Sequence, residues 1–148
     1  MKKVLTIVTA VIWLGAAQPG GALSASTDAR VTAGSVKVTV HYKGKGKVDP
    51  SHKIWVWLFD TPNIGPGAMP VDQGSLDKND SEAAFDVGLT QVWIAVAYDE
   101  SGTMTGDGPP PTGTPISLLM SKEGAPAPVT PGEKGAVSLT FDESMRMP

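Results

Sequence analysis

The chain has 148 residues, 12 basic and 15 acidic side chains, and no cysteine. That length suits a single domain, and the missing cysteines exclude disulfides, zinc–thiolate and iron–sulfur sites and cysteine nucleophiles. A net charge of −3 argues against a general nucleic-acid binder, which needs a basic surface to displace counterions.

The first segment is expected to be a removable leader. Lys2 and Lys3 open it, a 14-residue apolar run from Val4 to Ala17 follows, and small residues lead to Ala25. Charge, apolar stretch and small-residue exit in that order describe a secretory signal peptide over 1–25. The run is short for a bilayer span, so an uncleaved anchor is the lesser alternative and no membrane span is expected in the mature chain. Without Lys2 and Lys3 the balance is ten bases against fifteen acids, a net of −5. The expected location is therefore secreted or periplasmic. Residues 26–34 read as a loose lead-in, 35–143 as the domain and 144–148 as a short tail.

Beyond the lead-in the hydrophobic rhythm is two residues, not 3.6. Ser35 to Tyr42 places Val36, Val38, Val40 and Tyr42 on one face, which marks a half-buried strand. Lys43 to Lys53 (KGKGKVDPSHK) is a turn broken by Gly44, Gly46 and Pro50. Lys53 to Asp60 is apolar on both faces, with Ile54, Val56 and Leu58 opposite Trp55, Trp57 and Phe59. Such a strand is either covered on both sides or carries an aromatic surface. Thr61 to Pro70 is a turn-rich loop, 71–76 a weak strand, 77–82 (DKNDSE) a polar turn and 83–87 a short strand. Gln91 to Asp99 sets Ile94, Val96 and Tyr98 against Trp93, Ala95 and Ala97. Asp99 to Pro115 carries too many prolines and glycines for regular structure. Residues 116–120 and 136–142 close the series. About seven short strands with frequent turns imply an all-β antiparallel sandwich of the immunoglobulin-like type. If 53–60 and 91–99 are neighbours, Trp55 and Trp57 lie over Ala95 and Ala97.

The order of these phrases resembles a known family. Strand 53–60, Phe85 with Gly88-Leu89, VWIAVAYDESG at 92–102, a glycine/proline loop and VTPGEKGAVSLTF at 129–141 are similar to the transthyretin-like, carboxypeptidase-regulatory-like β-sandwich domains of exported bacterial proteins. The resemblance implies that sandwich fold and a binding or scaffolding role rather than catalysis. Urate-pathway hydrolases of transthyretin type end in Tyr-Arg-Gly-Ser, whereas this chain ends Met-Arg-Met-Pro, so their activity is not carried over.

Three groups of residues are candidates for function. Lys43, Lys45 and Lys47 crowd one turn with Lys53, and only Asp49 offsets them, so the tip is locally +3. His41 and His52 flank it and would face each other if 36–42 and 53–60 form a hairpin. Such a tip contacts an anion or, more simply, is a solvated turn whose lysines protect an edge. Trp55 and Trp57 stand about 7 Å apart on one strand face, a stacking platform for sugar if exposed and core if buried. His41 and His52 with Met69, Met104, Met120, Met145 or Met147 make a rival set of soft ligands for copper, but they are scattered. Asp77 to Glu82, and Asp99, Glu100 and Asp107, offer oxygens for a hard cation, although turn chemistry explains both runs. No G-x-S-x-G, H-E-x-x-H or P-loop is present. The expectation is a non-catalytic module with no cofactor and no metal, taking an unidentified protein or glycan partner. The loops 61–70 and 99–115 are expected at one end as a recognition rim.

Overall fold

The computed structural model describes residues 34–132 and 134–148. The expected leader, and the lead-in up to residue 33, lie outside the described residues. Seven strands follow in order: β1 (Gly34–Tyr42), β2 (Ile54–Phe59), β3 (Asp72–Leu76), β4 (Ser81–Val87), β5 (Trp93–Tyr98), β6 (Ile116–Leu118) and β7 (Ala136–Phe141). Every segment with a two-residue rhythm forms a strand. No helix occurs among the described residues, so none there crosses a membrane.

The strands form two sheets, β4-β1-β7 and β3-β2-β5-β6. Their inner faces share one apolar interior. Val36, Val38 and Val40 of β1 meet Ile54, Val56 and Leu58 of β2 and Ile94 and Val96 of β5, all essentially inaccessible to water. Each such side chain contributes about 1.5–3 kcal/mol by leaving water. The arrangement is sandwich-like, with Leu76, Phe85, Leu139 and Phe141 completing the interior.

Two expectations need correction. The architecture is not purely antiparallel, because β1 pairs with β7 in parallel, Val38 opposite Val137 and Val40 opposite Leu139. A parallel neighbour requires a long crossover, and here the chain visits the other sheet before β7 returns. The second correction concerns β1 and β2, which sit in different sheets and make no hairpin. The lysine-rich segment is therefore a bridge between sheets, and it does not pair His41 with His52.

The polar turn 77–80 is also explained locally. Tyr42 N–H donates to Asn79 Oδ1 at 2.7 Å and Asn79 Nδ2 donates to Tyr42 O at 2.8 Å. The amide side chain thus acts as one more residue of the ladder between β1 and β4. Asp80, with φ of 56°, takes the left-handed conformation that aspartate tolerates in turns.

Candidate functional site

β2 and β5 are apolar on both faces, so the four-stranded sheet carries a second apolar layer on its outer side. Trp55 pairs with Ala97 and Trp57 with Ala95, large against small as the sequence implies. The two indoles lie roughly parallel, with centroids 6.3 Å apart. Trp57 is only 4% exposed and Trp55 is half-buried. Neither a third sheet nor a helix covers them among the described residues; loops do.

Loop 99–115 is the main cover. Asp99, 3% exposed, organises its start by accepting from Met104 N–H at 2.9 Å and Ser101 Oγ–H at 2.9 Å. The loop then lays Gly106 flat on the six-membered ring of Trp55, where a Cβ would collide with Cζ3 and Cε3. Gly106 also has φ of 85°, so glycine is required twice over. Its carbonyl accepts from Trp57 Nε1 at 3.2 Å. By contrast Trp55 Nε1 is buried without a protein partner. Asp99 is committed to donors of its own loop, and Glu100 to Arg146 at 2.8 and 3.2 Å.

The C-terminal tail proves to be part of the same cover. Ile116 N–H donates to Met145 O at 3.0 Å, Met147 N–H to Thr114 O at 2.9 Å and Gly113 N–H to Met147 O at 2.8 Å. Residues 145–147 therefore run antiparallel beside 113–116, with Arg146 bridged to Pro115. Period two separates the side chains: Arg146 reaches Glu100, whereas Met145 and Met147 face the apolar layer.

Between these parts lies a cleft of about 720 Å³. Trp57, Phe59, Ala95 and Leu118 form its floor. One wall is loop 64–70, another is 106–110, and the tail supplies Met145, Met147 and Pro148. The two loops expected at one end of the sandwich instead meet over the outer face of the four-stranded sheet. Met69 and Met145, 78% and 47% exposed, mark the open side of the cleft.

The lysine turn is elsewhere, since no lysine or histidine is among the described lining residues. Lys43, Lys45 and Lys47 point to solvent while Gly44 and Gly46 press against the Tyr42 hydroxyl and the Tyr98 ring. Those two rings stack at 4.4 Å. The alternation Lys-Gly-Lys-Gly-Lys is thus a backbone laid on tyrosines. Tyr98 O–H donates to Lys47 O at 2.9 Å, and Glu143 Oε1 accepts from Lys45 N–H at 2.8 Å and Tyr42 O–H at 3.1 Å. Those two donors, the Lys45 N–H first, hold the Glu143 carboxyl below its ordinary pKa. The turn already embraces a carboxylate of its own chain. Burial, with the Glu143 charge added, pushes the Tyr42 phenol up.

His41 and His52 are separate. His41 Nδ1 lies 2.7 Å from Asp80 Oδ1, and His52 Nδ1 lies 3.2 Å from Asp49 Oδ1. Bonds from the His52 N–H and side chain hold Asp49 low. Met69, Met145 and Met147 share the cleft, but neither histidine joins them. Among the described residues no three His, Asp or Glu side chains gather as a metal site.

The sequence reading missed Gly106, and it considered Met69, Met145 and Met147 only as soft metal ligands, whereas they line the apolar cleft. The signal for the tail as a wall was its apolar–polar–apolar alternation, too short to separate from chance. Comparison with family models, curated proteins and solved structures finds no match to this chain.

Proposed function

We propose that this protein is an exported, non-catalytic binding module of transthyretin-like type, and that its ligand site is the apolar cleft on the outer face of the four-stranded sheet. The observation that carries this reading is the cleft itself: about 720 Å³, floored by aromatic and aliphatic side chains of three neighbouring strands, β2, β5 and β6, and walled by three segments. Ligand pockets for small molecules run to roughly 300–1,000 Å³, mostly apolar and built on a rigid scaffold. The sugar-platform alternative is weakened by Trp57, whose ring is covered and whose N–H is already used.

Titration with the uncharged fluorescent probe N-phenyl-1-naphthylamine tests the proposal. One saturable site with enhanced, blue-shifted emission is expected. Met69→Asp with Met145→Asp alters only exposed groups at the mouth and should weaken binding about tenfold, because charge replaces apolar contact there. Absence of saturable binding, or binding indifferent to those substitutions with an unchanged circular dichroism spectrum, overturns it.

A further inference from the structure

Sulfur in this chain is thioether alone, since it holds six methionines and no cysteine. A peroxide that meets the protein has no thiol to oxidise and turns to methionine. The methionines among the described residues are unequally placed. Met69 is 78% exposed, Met145 47% and Met120 43%, whereas Met104 and Met147 are half-buried. Met69, Met145 and Met147 line the apolar cleft, and Met120 is not among its lining residues. Met104 packs on the apolar layer of Trp57 and Ala97. The two most accessible thioethers are thus the apolar groups at the mouth of the cleft. The backbone that carries them is held by bonds that do not involve sulfur. Ile116 N–H donates to Met145 O at 3.0 Å, and Ala68 N–H to Gly65 O at 2.9 Å and Val71 N–H to Leu58 O at 2.8 Å fix the chain on either side of Met69. Chemistry at either sulfur changes the polarity of a wall and leaves its fastening in place.

We propose that Met69 and Met145 form a reversible oxidation site that sets the affinity of the cleft: the thioethers favour an apolar ligand and the sulfoxides disfavour it. This inference rests on the cleft being the ligand site and specifies how that site is regulated. In the oxidising step a sulfur lone pair attacks the O–O bond of hydrogen peroxide. The S–O bond forms, the O–O bond breaks, and the departing hydroxide takes the proton of the transferred oxygen to leave as water. Sulfur loses two electrons and the peroxide gains them. In the return step a dithiol supplies two electrons and two protons, the oxygen leaves as water and the dithiol becomes a disulfide. Each sulfoxide sets a dipole and a hydrogen-bond acceptor where a ligand needs apolar contact, and covering that group with a ligand that offers no donor costs affinity.

Oxidation with dilute hydrogen peroxide, stopped with catalase and followed by tandem mass spectrometry and N-phenyl-1-naphthylamine titration, tests it. Sulfoxide is expected first at Met69, next at Met145 and Met120, and last at Met104 and Met147, in order of exposure. Affinity for the probe should fall about fivefold in step with oxidation of Met69 and Met145, with an unchanged circular dichroism spectrum. The two stereospecific methionine sulfoxide reductases with dithiothreitol should restore it. For each variant the readout is its affinity before and after peroxide. Met69→Leu with Met145→Leu removes both sulfurs and keeps the mouth apolar, so its affinity, whatever the starting value, should no longer respond to peroxide. Met120→Leu removes a sulfur of similar exposure away from the cleft and should leave the response intact. If the untreated protein shows no saturable probe binding, the site itself is wrong and this inference falls with it. If the untreated protein binds and sulfoxide at Met69 and Met145 leaves its affinity unaltered, the oxidation site alone is overturned. A loss that persists in the Met69→Leu/Met145→Leu protein, that disappears in Met120→Leu, that comes with a changed circular dichroism spectrum, or that the reductases do not reverse also overturns it.

Discussion

Trp55 and Trp57 are two residues apart, on one face of one strand, yet their indole nitrogens have different fates. Trp57 Nε1 has the Gly106 carbonyl, and Trp55 Nε1 has no protein partner. A buried donor without an acceptor costs about 1–3 kcal/mol, whereas a satisfied one contributes about 1 kcal/mol. Phenylalanine retains an aromatic ring and removes the N–H in both cases. Trp57→Phe is therefore expected to destabilise by about 1–2 kcal/mol, since it orphans the Gly106 carbonyl and thins the floor. Trp55→Phe should change stability by less than about 1 kcal/mol, because relief of the unpaired donor offsets the lost contact. Urea denaturation of the two variants checks this, and a larger loss for Trp55→Phe contradicts the assignment.

At the scale of elements, the tail is a strand-like arm that the cleft needs as a wall. Three backbone hydrogen bonds and the Arg146–Glu100 pair fasten it. Arg146 and Glu100 are both well exposed, so the pair adds only about 0.2–1 kcal/mol, and the backbone bonds do most of the fastening. Ending the chain after Ser144 is expected to weaken N-phenyl-1-naphthylamine binding at least about fivefold, while costing only about 1–3 kcal/mol of stability. Full retention of binding by that truncated protein excludes the tail from the site. The strands themselves were legible because burial on a pleated sheet imposes alternation, and Val36–Val38–Val40 or Ile54–Val56–Leu58 carry it plainly. Their partners were not. Alternation records which face of β1 is buried but not that β4 and β7 flank it, so the expected β1–β2 hairpin and wholly antiparallel order failed. The cleft was half legible: the two loops announced themselves by glycine and proline. Gly106, however, earns its place only through the position of Trp55, a contact across 51 residues of chain that no local pattern encodes.

The molecule as a whole is tied across its two sheets by the lysine turn, Tyr42, Tyr98 and Glu143, and this junction sets its response to pH. Glu143 is held below the ordinary 4.5 by the Lys45 N–H first and then the Tyr42 hydroxyl. Asp49 and Asp142 are held below the ordinary 3.8 by local hydrogen bonds. A carboxylate with a lowered folded pKa contributes stability that is present above its unfolded pKa and lost as pH falls through the folded one. Tyr42 and Tyr98 are shifted the other way, first by burial and then by neighbouring carboxylates, above the ordinary 10.0. Below pH 10 both tyrosines are neutral in either state. Above it the unfolded chain releases protons that the folded chain keeps, so stability declines there too. The expected profile of unfolding free energy is a plateau between about pH 5 and pH 9, with an acid and an alkaline arm. Glu143→Gln should make the acid arm shallower below pH 4.5, and it should also soften the alkaline arm, because the Glu143 charge is one reason that Tyr42 resists ionisation. Tyr42→Phe should flatten the alkaline arm and, by removing a donor from Glu143, reduce the acid arm as well. In the double variant the two effects should be less than additive, since each residue supplies part of the other's shift. Denaturation followed by tryptophan fluorescence from pH 3 to pH 11 measures all four proteins. Independent, additive arms would show that Tyr42 and Glu143 do not share one junction.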